Sequence, residues 1–251
     1  MESYFSSLAN ALNAYDGQAL AQTMGLFSQQ DSQIRPAPGF IKRNELGNMD
    51  RMARQILGDF PKWGDMVVDI AQAQGALHAG NFVQAYTAFV SGWQKLLSLF
   101  AEETAWMMAL VHQAVHDIRM LAMAADSAGG KAGQIAAKNL NETTRLLQNG
   151  FAACWNDRTD PRSPESKKTG VLYIIVTLFK TYFKLNTLRL CKNLIKAVEV
   201  KVGNRPSFVE AAGDVIPVSD MVAYRFYVGR LNMFEDQYTE AEKNLDFALA
   251  H

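Results

Sequence analysis

Apolar and polar positions follow helical patterns along most of the chain, and short clusters of turn residues divide them. The pattern predicts helices over residues 3–14 and 18–28, then a loop over 31–39 that holds two prolines. Helical spacing resumes over 44–57, and Pro61 punctuates the chain. Residues 65–78 and 82–99 flank the short turn Ala79-Gly80-Asn81. A connection that short implies an antiparallel helical hairpin. Longer helices are expected over about 102–125 and 131–154, with Ser127-Ala128-Gly129-Gly130 breaking them.

Residues 156–164 are polar, hold two prolines and read as a linker. They suggest an N-terminal helical region over 1–160 and a second region over 161–251. Ser163 followed by Pro164 is a helix-start pattern, a capping hydroxyl before a residue suited to the first turn. From there a helix is expected to run to about Phe183. The run Val171-Leu172-Tyr173-Ile174-Ile175-Val176 is rich in β-branched residues and compatible with a strand. Only Gly170 interrupts roughly twenty positions, which favours a buried helix. Further helices fit 187–202 and 219–234, separated by a Gly/Pro-containing loop over 203–217. The last begins near Thr239 and shows no C-cap pattern before His251, so the chain is expected to be the front part of a longer protein.

Two segments share a spacing. Phe82-x-x-Ala85-x-x-x-Phe89 recurs as Tyr238-x-x-Ala241-x-x-x-Leu245, each after a polar turn and an upstream helix. This is the second half of a tetratricopeptide-like unit. The small alanine lets two helices approach, and the aromatic and later apolar residue are expected to fill the groove between them. Gly229 and Ala248, and in the earlier unit Ala73 and Gly92, fall at the usual small positions. The expected fold is therefore all-α, a solenoid of stacked hairpins, an architecture that builds extended surfaces for partners.

Composition agrees with that expectation. Hydrophobic residues make up 49% of 251, enough for a sizeable core, while 17 Gly and 7 Pro are too few for a sandwich of many turns. No apolar run reaches the roughly twenty residues of a membrane span, because Lys180 ends the longest one. The start lacks the basic and apolar segments of a secretory leader. Cys154 and Cys191 are widely spaced and form neither a disulfide framework nor a zinc motif, so a reducing compartment, cytosol or nucleus, is expected.

Catalytic patterns are sparse. His112 and His116 share one helical face, but Gln113, Ala114 and Val115 lie between them, so the pair lacks the Glu base of a zinc peptidase. Ser127-Ala128-Gly129-Gly130-Lys131 loosely resembles a phosphate loop but lacks its first glycine, its final Ser/Thr and a preceding strand. No catalytic residue, metal or cofactor is expected.

Net charge is zero, yet its distribution is uneven. Between residues 161 and 205 lie ten basic residues: Arg162, Lys167, Lys168, Lys180, Lys184, Arg189, Lys192, Lys196, Lys201 and Arg205. Within that stretch only Glu165 and Glu199 oppose them, leaving about eight positive charges in excess. Lys180 and Lys184 share one helical face, and Arg189, Lys192 and Lys196 another. Such a stripe can receive nucleic acid or an acidic protein segment. Lys167 and Lys168 are counted with it as candidate contacts.

Three parts of the sequence carry a family resemblance: Ser166-Lys167-Lys168, then Leu178-Phe179-Lys180-Thr181-Tyr182-Phe183-Lys184-Leu185-Asn186, then Leu190-Cys191-Lys192-Asn193-Leu194-Ile195-Lys196-Ala197. Together with Tyr224-Arg225-Phe226-Tyr227-Val228-Gly229-Arg230, they resemble the family of the PCI-domain subunit of the TREX-2 messenger-RNA export complex. The COP9-signalosome-subunit-12-like proteins share the central part of this pattern. The strong resemblance covers roughly 150–251, with a looser fit earlier through Asp16-Gly17 and Gly80-Asn81-Phe82. It implies a non-enzymatic scaffold at the nuclear pore, built as the helical-repeat beginning of a PCI domain without its winged helix. It also implies two protein partners, a large export scaffold of the GANP type and a small acidic proteasome-lid-type protein, with RNA or DNA contacted as part of the complex. The resemblance places the family's nucleic-acid platform mainly on the winged helix.

Overall fold

The computed structural model describes residues 1–42, 45–129, 137–201, 203 and 206–251. Among these residues the fold is all-helical, with thirteen α-helices, three short 3-10 turns and no strand beyond one isolated bridge between Phe27 and Ile34. Contacts divide the chain into two compact units, residues 1–143 and 144–251.

The first unit contains α1 (Glu2–Asn13), α2 (Gly17–Met24), α3 (Gly39–Lys42), α4 (Met49–Ile56), α5 (Pro61–His78), α6 (Phe82–Glu102), α7 (Met108–Gly129) and the first turns of α8 (Lys138–Trp155). α5 and α6 form the expected hairpin, α6 packs on α7, and α7 packs on α2. Phe5, Leu8, Leu20, Met24, Phe40, Phe89, Trp93 and Phe100 are almost fully buried. Each such side chain contributes about 1.5–3 kcal/mol by leaving water. Asp126 in α7 accepts hydrogen bonds from the backbone N–H groups of Asn139 and Leu140, both at 2.9 Å. It thereby satisfies donors that the start of α8 cannot pair within itself.

The second unit contains the rest of α8, then α9 (Val171–Lys184), α10 (Arg189–Glu199), α11 (Phe208–Ala211), α12 (Val218–Phe234) and α13 (Tyr238–Ala250). The β-branched run at the start of α9 is helical. Ten of its fourteen residues are buried, and a helix that is apolar nearly all round can be stable only in that position. Its two buried threonines are satisfied within the helix, Thr177 donating to the Tyr173 carbonyl at 3.0 Å and Thr181 to that of Thr177 at 2.8 Å. α9 and α12 run the same way. Phe179 stacks on Tyr224, with ring centres 5.9 Å apart, while Phe183 one turn later meets Tyr227 and Phe234. α10 runs back, its start near Glu235 and its end near Tyr224.

Four helices end in the same way. Tyr15, Gly80, Asn186 and Asp236 have φ of 51°, 76°, 54° and 58°. In each case the next residue's N–H reaches the carbonyl five positions back: Asp16 to Ala11, Asn81 to Ala76, Thr187 to Tyr182 and Gln237 to Asn232, all at 2.9 Å. This is the Schellman termination, which satisfies carbonyls left open at a helix end. Each turn leads directly into the next helix, producing the hairpins α1–α2, α5–α6, α9–α10 and α12–α13. The repeat spacing in the sequence marks only the second and fourth.

Several expectations change. Ser163 caps no long helix. Its N–H bonds to the Asp160 carbonyl, and α9 begins only at Val171. The reason is Asp157, which accepts from the backbone N–H groups of Lys167 (2.8 Å) and Thr159 (3.1 Å) and holds residues 157–167 in a folded loop. Ser166 then caps a 3-10 turn over Lys167–Gly170. The helix expected from about 102 starts at Met108, because Glu103 and Thr104 are extended. Ser127 to Gly129 complete α7, whereas Gly130 and Lys131 lie outside the described residues.

Candidate interaction surface

The basic residues separate into several environments. Lys167 is only 9% exposed, and its backbone N–H belongs to the Asp157 loop, so it is no part of an open stripe. Lys168 is half-buried. Arg162 donates through Nε to the Ala211 carbonyl at 3.4 Å. Lys201 pairs with Glu210 at 2.8 Å. Arg205 lies outside the described residues.

Lys180, Lys184, Arg189, Lys192 and Lys196 are exposed. On α10, Arg189, Lys192 and Lys196 project opposite the buried Cys191, Leu194 and Val198, so the helix is sharply amphipathic. Acids from outside the basic stretch also meet its cations. Lys192 Nζ lies 2.8 Å from Glu235 Oε1, and Lys180 acts on the carboxyl of Asp220. These acids follow the basic stretch in sequence and come to it because α12 lies along α9. Glu199 faces elsewhere, accepting the Tyr224 hydroxyl at 3.0 Å with Arg225 at 3.6 Å. Asp220 is largely buried, and that burial pushes its pKa up to about 6 against the opposing pull of Ser219 and Lys180.

An aromatic cluster lies at the end of α9 and α12. Arg230 places its guanidinium carbon 4.7 Å from the ring centre of Phe183, 5.6 Å from Phe226 and 5.8 Å from Tyr227. The Phe183 and Tyr227 rings meet edge to face at 5.3 Å, and Phe234 lies 6.1 Å from Phe183. Phe226 is 42% exposed and Phe234 64%. Tyr182 is core, its hydroxyl accepting from Gln148 Nε2 at 2.8 Å, but Phe183 belongs to this surface. Phe226, Arg230 and Phe234 were missed, although their spacing of four places them on one helical face.

The repeat positions behave unequally. Ala85, Phe89 and Ala241 are buried, and Phe82 and Leu245 half-buried. Tyr238 is 65% exposed and donates its hydroxyl to Asp236 at 2.7 Å, so it fills no groove. Gly229 carries the close approach in the last hairpin: a Cβ there would lie 2.8 Å from Leu245 Cγ. In the earlier hairpin a Cβ on Gly92 would lie 3.1 Å from Ile70 Cγ1.

His112 and His116 sit in α7 inside the first unit. Burial lowers the pKa of His112 to about 4, and His116 Nδ1 is 3.5 Å from Asp117 Oδ1. Asp117 itself accepts from the N–H groups of Leu26 (2.8 Å) and Phe27 (3.1 Å) and from Gln113 Nε2 (2.8 Å). The constellation ties the chain after α2 to α7. Among the described residues no group of three or more His, Cys, Asp or Glu side chains is arranged to hold a metal. Cys154 and Cys191 are buried, and burial pushes both thiols up to about 12, far from nucleophilic at neutral pH.

No family model matches the chain. It is 29% identical, over 98% of its length, to Protein CSN12 homolog of Neurospora crassa, covering 60% of that protein. It is 27% identical over its whole length to PCI domain-containing protein 2 of Danio rerio, covering 59% of it. Over 83% of the chain it is 30% identical to PCI domain-containing protein 2 of Xenopus laevis, covering 50%. The chain therefore spans between half and three fifths of the length of these curated relatives.

Proposed function

We propose, starting from relatives that support a PCI-domain protein of their family, that this chain belongs to a non-enzymatic scaffold subunit of a TREX-2-type messenger-RNA export complex at the nuclear pore. Its role is assembly. Helical hairpins present extended surfaces to a large export scaffold of the GANP type and to a small acidic proteasome-lid-type protein. The observation that carries this reading is likeness along essentially the whole chain to proteins named for the PCI domain. The exposed cations of α9 and α10, Lys180, Lys184, Arg189, Lys192 and Lys196, supply a surface to which an acidic partner is complementary.

The test is affinity capture by the tagged chain from nuclear extract, with the bound proteins identified by mass spectrometry. Export-scaffold and small acidic subunits should be recovered together. Charge reversal at Lys180, Lys184, Lys192 and Lys196 should weaken recovery and flatten its salt dependence. Recovery of signalosome-type subunits without the export scaffold would overturn the assignment.

A further inference from the structure

We infer that the ring-and-guanidinium surface on α9 and α12 is a stacking platform for single-stranded nucleic acid, with Phe226 and Phe234 as its base-facing rings. This rests on the export reading and deepens it by giving the chain its own contact with a nucleic-acid strand.

Three observations converge on it. The first is exposure of the rings. Phe179, Tyr182 and Tyr224 of this unit close the core, yet Phe226 is 42% and Phe234 64% exposed on one face of α12, with Arg230 between them. A solvent-facing phenylalanine buries little on folding, and here two share one helical face. The second is rigidity. Arg230 lies against three rings at once, and Phe183 and Tyr227 pack edge to face beneath them. The flat surfaces are held in place before any ligand arrives, which limits the entropy lost on binding. The third is charge. At this end of the unit, Glu235 is taken by Lys192, while Asp236 accepts the Tyr238 hydroxyl and keeps its negative charge. Lys184 directly follows Phe183. Arg189 lies three positions before Lys192 on α10 and so shares its face. Both are exposed and have no acidic partner among the described residues.

Flat π-faces beside uncompensated cations match the two requirements of an unpaired strand, bases to stack and phosphates to neutralise. A duplex offers only phosphates here, because its bases already stack on one another. An acidic protein segment would use the cations but gain nothing specific from ring faces. The observations therefore favour a single strand over both.

The test is fluorescence anisotropy of a labelled oligo-uridine, about ten nucleotides long, with the whole 251-residue chain. Saturable binding at low salt is expected, weakening as salt rises. Phe226→Ala and Phe234→Ala should each weaken it about tenfold while leaving the circular dichroism spectrum and the melting temperature nearly unchanged, since both rings are exposed. Lys184→Ala should reduce the slope of log affinity against log salt by about 0.7, the loss of one phosphate contact. The inference fails if no binding is seen at low salt, if the two ring variants bind like the parent, or if a duplex of the same length binds equally well. It fails also if a poly-glutamate peptide binds with the same dependence on both rings, which would mark an acidic-protein dock. The assay contains no partner protein, so its failure leaves the capture experiment untouched, and failure of capture leaves this binding intact.

Discussion

Gly229 and Leu245 meet so closely that any side chain at the glycine would force its neighbours in α13 to shift. A Cβ there would stand 2.8 Å from Leu245 Cγ, 2.9 Å from Cδ2 and 3.2 Å from the Ala241 carbonyl oxygen. The leucine can shift, but the carbonyl is backbone. Gly229→Val should therefore overpack the hairpin and cost about 1–3 kcal/mol in urea unfolding. Leu245→Ala alone should also destabilise, by opening a small void. Combined, the two changes should cost less than their sum, a coupling that identifies the contact itself as the source.

Asp117 joins α7 to the chain that follows α2 through two backbone N–H groups and the Gln113 amide. Asp117→Asn would turn an NH2 toward buried donors in place of one acceptor. The expected loss is about 1–3 kcal/mol, the cost of leaving a buried donor unmet. Thermal unfolding checks it. An unchanged melting temperature would mean that the loop finds other acceptors.

Two buried groups set opposite pH slopes. His112 has its pKa lowered by burial from 6.5 to about 4, so the unfolded chain takes up its proton first as pH falls. Stability contributed by the first unit should drop between about 6.5 and 4 as acid is added, and His112→Gln should flatten that limb. Asp220 has its pKa raised by burial from 3.8 to about 6, so the unfolded chain releases its proton first as pH rises. Stability of the second unit should drop from about 3.8 upward to about 6, and Asp220→Asn should remove that trend. Urea midpoints measured across this range, with probes in each unit, separate the two.

The loop over 157–167 depends on Asp157. Burial alone would raise its pKa, yet hydrogen bonds from the backbone N–H groups of Thr159 and Lys167 bring it below the ordinary carboxylate value. Asp157→Ala should speed hydrogen exchange at the Thr159 and Lys167 amides while leaving those within α9 protected. Equal protection in the variant would show that the loop is held by other contacts.

Local pattern was sufficient for the helical class, for most helix positions and for the hairpin around Gly80, because apolar spacing and a glycine in a left-handed turn act over a few residues. The repeat spacing also marked the α12–α13 hairpin, but nothing local marked the turns at Tyr15 and Asn186, which adopt positive φ as Asp236 does. Asn and Asp enter this region more readily than other non-glycine residues, whereas an aromatic such as Tyr15 does so rarely and no local pattern announces it. Local pattern was also insufficient for the start of α9, because the carboxylate that folds the preceding loop is ten positions from the Lys167 amide it binds. The basic stretch was legible as composition, but which cations remain open was not. Lys192 is neutralised by Glu235, forty-three positions away, and Lys167 is withdrawn into a turn. Charge can be counted along a sequence, whereas screening and ring exposure depend on what returns in space, and α12 lying along α9 decides both for this surface.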